Sequence, residues 1–225
     1  MTSLDATPKP ISGVTGSPEV VVVDLGSGNI GSILNMFRRL GVEAKSTNDP
    51  DLVRAAPRIV LPGVGAFDGV MSRLNDSGLI PVLEQRVLGD RVPMLGICVG
   101  LQLLGRGSEE GILPGLGWFD ADVRRLPSRH GDELLRIPHM GWSPTRVLKP
   151  SAHLATLATG DRYYFVHSFA LTCDRLTDVL AVARYGEEFV AAVEVDNVIG
   201  VQFHPEKSHR HGLAVLRDFA QTEAG

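Results

Sequence analysis

Two places in this sequence have the residue types and surroundings of a nucleophile and its base. The stretch Pro93-Met-Leu-Gly-Ile-Cys98-Val-Gly-Leu-Gln-Leu-Leu104 reads as an apolar strand, a sharp turn flanked by Gly96 and Gly100, and the start of a helix. Glycine on either side lets backbone pass close where a Cβ would collide. A turn of this kind lifts its apical side chain clear at the end of a strand. It also sets Cys98 at a helix N-terminus, where unpaired N–H groups and the helix dipole favour a thiolate. The competing reading is a cysteine that serves as a small hydrophobe in a core. The second place is Val198-Ile-Gly-Val-Gln-Phe-His204-Pro-Glu206-Lys-Ser208. Here an apolar strand delivers His204 at its end, and Pro205 stops the strand. Glu206, two residues on, can orient the imidazole and stabilise its charged form, the third role of a catalytic triad.

A cysteine and a histidine so arranged do acyl transfer through a thioester. Negative charge then develops on the carbonyl oxygen and needs N–H donors. The strand expected at residues 58–61 ends in Pro62-Gly-Val-Gly65, where Gly63 and Gly65 free the loop to aim backbone N–H groups at a bound substrate. The amide of Val64 is expected to pair with that of Val99, next to the nucleophile, as the oxyanion hole. Alone, this loop would read as a simple strand-to-helix turn.

The elements that must hold these groups follow from periodicity. Val20-Val-Val-Val-Asp24 has no polar alternation, as in a buried parallel strand. Ile30, Ile33, Leu34, Phe37 and Leu40 recur at helical spacing and Gly41 follows as a C-cap. A short second strand is expected at 43–46, a helix start near 48–51, a helix over 79–88 and the elbow strand over 93–97. After Leu116 strands dominate, at 118–126, 133–137, 143–147, 163–169, 179–185, 189–195 and 198–203, with hairpin turns at 185–188 and 195–197. A helix over 212–222 closes the chain. A parallel α/β half followed by a largely antiparallel half predicts a three-layer mixed sheet with helices on both faces. The site then belongs at the carboxyl ends of the parallel strands. Residues 1–19, with Pro8, Pro10, Gly13, Gly16 and Pro18, read as a flexible tail, and 20–225 as one domain.

Composition narrows the class. A net charge of −4 and a pI near 6.0 give no support to nucleic-acid binding. Two cysteines make no disulfide framework, and Cys173, without glycine flanks or a motif, reads as structural. No signal peptide or membrane span is legible, so the expected compartment is the reducing cytoplasm, which a thiolate also needs. His204, His209 and His211 lack paired acidic ligands, so no metal or other cofactor is expected. One rival remains: Gly26-Ser-Gly28-Asn-Ile-Gly31 matches G-x-G-x-x-G between a strand and a helix, the context of a dinucleotide-binding oxidoreductase. Asp24 would place a carboxylate near the pyrophosphate, and the cysteine and histidine would go unexplained.

Gly96-Ile-Cys98-Val-Gly100-Leu-Gln102 and His204-Pro-Glu206 resemble the G-x-C-x-G-x-Q and H-P-E motifs of the class I, triad-type glutamine amidotransferases. The resemblance narrows to the family of glutaminase subunits of imidazole glycerol phosphate synthase. It does so through Asp24-Leu-Gly-Ser-Gly-Asn29, Pro62-Gly-Val-Gly-Ala-Phe67, Pro138-His-Met-Gly-Trp142 and His204-Pro-Glu-Lys-Ser208. Together these span residues 20 to 208. Leu25 and Phe169 stand where the family has tyrosine. The resemblance implies a flavodoxin-like fold, a Cys98-His204-Glu206 triad and contact of Gln102 and Glu110 with substrate glutamine, Glu110 taking its α-ammonium. It also implies a loop bearing His139 and Trp142 that, with Lys207, docks a partner. A cyclase (β/α)8 barrel needs ~250 residues, more than this whole chain, so the ammonia acceptor is expected on a separate cyclase subunit, in a heterodimer. A glutaminase for another class I amidotransferase, or a catalytically silent binding subunit, are the other readings.

Overall fold

The computed structural model describes residues 19–222. The expected tail lies outside them apart from Glu19, whose N–H donates to Glu43 O at 2.8 Å. The chain begins with β1 (Val20–Val23), wholly buried as its unbroken valines require, then α1 (Ile30–Leu40). Gly41 ends α1 in the left-handed conformation at φ 73°. There follow β2 (Ala44–Thr47), α2 (Pro50–Arg54), β3 (Ile59–Gly63), α3 (Phe67–Asp76) and α4 (Ile80–Leu83). The single helix expected over 79–88 is instead α4 running into a π-helical turn, Glu84–Gly89. Then come β4 (Met94–Cys98) and α5 (Val99–Gln102).

The second half holds β5 (Ala121–Arg125), the small hairpin β6 (Arg129–His130) and β7 (Glu133–Leu134), β8 (His139–Val147), β9 (Arg162–His167) and β10 (Phe169–Cys173). It closes with β11 (Val179–Tyr185), β12 (Glu187–Val195), β13 (Val198–Val201) and α6 (His209–Gln221). Among the described residues nine strands form one sheet in the order β2-β1-β3-β4-β13-β12-β11-β8-β9. β1 to β4 pair in parallel, and so does β13 with β4; every other pairing in the sheet is antiparallel. α1 links β1 to a neighbour on one side, while α3 and α4 link β3 to a neighbour on the other. Right-handed crossovers therefore put them on opposite faces, and α6 packs with α1.

Two expectations fail for the same reason, that a run of extended chain can change its pairing partner along its length. The run expected over 163–169 breaks at Ser168: β9 stays at the edge of the main sheet, and β10 leaves it to pair with β5. The Pro138-to-Trp142 segment, expected as a loop, runs from His139 onward inside β8. Its first six residues pair with β9 and its last three with β11, so Pro144, which has no N–H to give, sits where one partner hands over to the other.

Candidate active site

Cys98 ends β4 and begins the turn into α5. Its φ is 55° and ψ −109°, a left-handed conformation that a non-glycine residue adopts only under constraint, at a cost on the order of 1–3 kcal/mol. The constraint is close packing of α5 on the sheet. A Cβ on Gly100 would lie 1.8 Å from Leu61 O, and one on Gly96 would lie 2.9 Å from Leu101 Cα. So the turn is shaped as its glycines foretold. Cys173 is different in kind: burial, with Asp178 and Asp174 nearby, pushes its thiol up to about 12 and leaves it unreactive.

β13 lies beside β4, parallel and in register from Val198 with Met94 to Val201 with Ile97. This register brings the residues just past both strands to one end of the sheet. His204 and Cys98 line the same cavity, of about 340 Å³. His204 Nδ1 stands 2.8 Å from Glu206 Oε1, and both side chains are almost fully buried. The loop that carries them is tied down: His204 N–H donates to Tyr164 O, and Ser208 Oγ donates to His204 O at 2.6 Å. Burial acts most strongly on the imidazole and works against its charge, yet Cys98 and Glu206 together outweigh it and raise its pKa to about 9. Burial likewise opposes the Glu206 carboxylate, but His204 and then Asn29 hold it below the usual carboxylate range. Among the described residues His204 Nε2 is buried without a hydrogen-bond partner, which leaves it open toward the cavity that Cys98 also lines.

Asn29 is a residue that sequence reasoning missed. As N-cap of α1 its side chain would be expected to bond the helix's own amides. It makes no such bond, and its Nδ2 donates instead to Glu206 Oε1 at 2.9 Å. This also disposes of the dinucleotide reading. In Gly26-Ser-Gly28-Asn29, the Gly26 amide bonds Asp24, Ser27 bonds the next loop and Asn29 bonds the Glu206 carboxylate.

The other expected site residues divide. Val64, Gly65, Val99, Gln102, Glu110 and Lys207 all line the cavity. Gly63 does not: it is buried at the end of β3, where a Cβ would lie 2.9 Å from the Gly100 nitrogen, so it serves packing rather than substrate. Val99 N–H heads α5, where no intrahelical carbonyl can serve it. Val64 N–H is engaged: it donates to Ser27 Oγ at 3.0 Å, while Ser27 donates back to Val64 O at 2.6 Å. One oxygen of Glu110 accepts from Phe67 N–H at the head of α3, at 2.8 Å, which leaves the other for a ligand. Gln102 gives its amide hydrogens inward, to Phe169 O at 2.9 Å and Gln202 Oε1 at 3.1 Å, so only its oxygen remains to meet a substrate.

His139 was expected on a docking loop and is buried instead, 3% exposed, stacked on Tyr185 and Phe165. Alternation along β8 explains this: His139, Ser143 and Thr145 point inward, Met140 and Trp142 outward. The outward face of β8 therefore carries Met140, to which the sequence gives no role, and Trp142, stacked 5.2 Å from the His209 ring. Lys207 lies over Tyr164, 5.6 Å from its ring centre. Phe169, where tyrosine was expected, lines the cavity under Arg125, 5.7 Å from its ring; Leu25 is buried.

A strained cysteine at the head of a helix, a carboxylate-paired histidine beside it and a mixed sheet bearing both are the arrangement that cysteine-dependent acyl transfer requires of an α/β protein. The model of the family described as Glutamine amidotransferase class-I matches residues 21–222, and the chain belongs to that family. Among curated proteins it is 46% identical to imidazole glycerol phosphate synthase subunit HisH of Bdellovibrio bacteriovorus over 202 residues, covering 90% of this chain and 99% of that one. It is 44% identical to subunit HisH 2 of Pseudomonas aeruginosa over 202 residues, covering 90% and 98%. Among solved structures it resembles PurLQS from Thermotoga maritima, with a TM-score of 0.63 and 19% identity over 91% of this chain and 98% of that one. A structure described as glutamine amidotransferase gives a TM-score of 0.66 at 22% identity, covering 90% and 99%. At that identity the likeness speaks to fold alone.

Proposed function

We propose that this chain is the glutaminase subunit of an imidazole glycerol phosphate synthase. It hydrolyses L-glutamine to L-glutamate and ammonia and supplies the ammonia to a separate cyclase subunit in histidine biosynthesis. The observation that carries this reading is the cavity shared by Cys98 and His204, with Glu206 paired to His204 behind it. Residues 20–225 act as a single amidotransferase domain, working in the cytoplasm. Among the described residues no helix is long and apolar enough to cross a membrane.

His204, raised to about 9, takes the Cys98 proton and becomes imidazolium as the sulfur is engaged. The Cys98 sulfur attacks the side-chain amide carbon of glutamine, and the oxygen gains negative charge opposite the Val99 N–H. His204 gives its proton to the leaving nitrogen, and ammonia departs. The neutral imidazole then takes a proton from water, which attacks the thioester and releases glutamate. Gln102 Oε1 and the open oxygen of Glu110 receive the substrate's α-ammonium.

The second oxyanion donor, Val64 N–H, points to Ser27 in this state. Withholding one such donor costs roughly 10²–10³ in rate. The loop Pro62–Gly65 thus acts as a switch: docking of the cyclase, with its acceptor nucleotide bound, favours the arrangement in which Val64 serves the oxyanion. Trp142 and Lys207 are the docking residues, and Met140 joins them. The test is a steady-state glutaminase assay of the lone chain against the liganded complex. A gain of roughly 10²-fold or more, mainly in kcat, is expected, because the contact forms late in the reaction. Trp142→Ala should reduce that gain at limiting cyclase. A lone chain as fast as the complex would sink the switch, and no activity in either would sink the glutaminase reading.

A further inference from the structure

The buried polar side chains near Cys98 form one hydrogen-bonded run whose direction is set from its middle. A backbone carbonyl can only accept. Phe169 O accepts from Gln102 Nε2 at 2.9 Å and from His167 Nδ1 at 2.9 Å. The amide nitrogen of Gln102 therefore faces Phe169, and its second hydrogen goes to Gln202 Oε1 at 3.1 Å. With its oxygen engaged there, Gln202 must turn its own amide nitrogen the other way, and that nitrogen lies 3.6 Å from Cys98 Sγ. Reversing the Gln202 amide would set two NH2 groups against each other and an oxygen against the sulfur.

The far side of the run is equally ordered. His167 donates from Nδ1, so its Nε2 accepts from His139 Nδ1 at 3.3 Å, and His139 Nε2 accepts from the Ser143 hydroxyl at 3.1 Å. Burial lowers both imidazoles, to about 3 for His167 and about 4 for His139, so both stay neutral and the run keeps its polarity at ordinary pH. Gln202 itself is wholly buried, and its backbone N–H is fixed to Ala191 O at 2.9 Å.

We propose that Gln202 is a catalytic residue: its side-chain amide, aimed by Gln102, donates to the Cys98 sulfur, favours the thiolate and fixes the direction in which the sulfur meets substrate. The proposal rests on the reading of Cys98 as nucleophile. A donor to the charged form stabilises that form, and bonds to an ionised acceptor are the stronger ones. Because an amide does not titrate, this support is independent of pH and leaves His204 free to carry the proton.

Gln202→Met in the full chain keeps the length and the packing and removes the donor. The readouts are the rate of Cys98 alkylation by iodoacetamide at neutral pH, with Cys173 as internal control, and the kcat and KM for glutamine in the complex with the cyclase. Alkylation rate and kcat should each fall about tenfold with KM unchanged. An unchanged alkylation rate would overturn the proposal. Should the variant not fold, the Gln202 side-chain amide can be followed by NMR in the parent chain and in Cys98→Ala. Loss of the sulfur must move its proton resonance, and an unmoved signal also overturns the proposal. Hydrolysis of glutamine by Cys98→Ala would instead overturn the nucleophile assignment itself, and the role of Gln202 with it.

Discussion

The parallel and antiparallel halves contribute to the cavity by different means. From β3, β4 and α5 the contribution is mainly backbone: the left-handed Cys98, the Val99 N–H at the head of α5, and the Val64 loop. From β8 to β13 it is mainly side chain: the His204–Glu206 pair, and the run from Ser143 through His139 and His167 to the Phe169 carbonyl, which Gln102 of α5 joins to Gln202 and so to the sulfur. A backbone device is specified by a few consecutive residues and fails if a Cβ intrudes. A side-chain device needs several strands in register and fails one donor at a time. The parallel half should therefore respond to substitution sharply, and the antiparallel half by degrees.

The largest expected effect is that of Cys98→Ala, which removes the proposed nucleophile. Glutamine hydrolysis should vanish while ammonia-driven synthesis by the complex survives, and a glutamine affinity label should no longer attach, since the Cys173 thiol is held unreactive. Label found on Cys173 would undo the contrast between the two cysteines. Gly100→Ala comes next. A Cβ placed 1.8 Å from Leu61 O forces α5 off the sheet, at a cost of ~3 kcal/mol or more in a denaturant melt. A loss below ~1 kcal/mol would mean that the elbow is not held by close packing.

Glu206→Gln is the graded counterpart. Turnover should drop at least ~10-fold with little change in KM, as expected when an imidazolium loses its carboxylate. The same substitution has a pH signature. His204 is raised from an ordinary 6.5 to about 9, so its share of stability is complete below about 6.5 and is lost as pH rises through about 9. Glu206 is lowered from 4.5, so its share is present above that value and is lost as pH falls through the depressed one. The gap in melting temperature between parent and Glu206→Gln should be widest between these limits and close toward pH 9 and above. A gap that does not vary with pH would deny the ion pair. Ser27→Ala has the smallest expected effect. It releases Val64 N–H and should raise the glutaminase rate of the lone chain by up to ~10-fold, part of what a full oxyanion donor is worth. A slower lone chain would show that Ser27 supports the loop instead of restraining it.

Much of this is legible in the amino-acid sequence. The Cys98 turn, the His204-Pro-Glu206 end of a strand and the Pro62–Gly65 loop are each continuous in sequence, and a left-handed turn or a helix head follows from the few residues that make it. The order of elements followed from apolar periodicity in the same way. What tertiary structure decided is which side chains meet. Nothing local to Asn29 says that it leaves its helix cap for Glu206, nor that Gln202 reaches Cys98. Those meetings depend on β13 lying in register beside β4. Nor does the motif at 138–142 say which of its residues face out: one step along β8 puts His139 in the core and Met140 in solvent. The physical reason is the two-residue period of a strand. Chain order states the alternation, but only pairing with β9 and β11 determines which face is buried, and a shift of one residue would exchange the two faces.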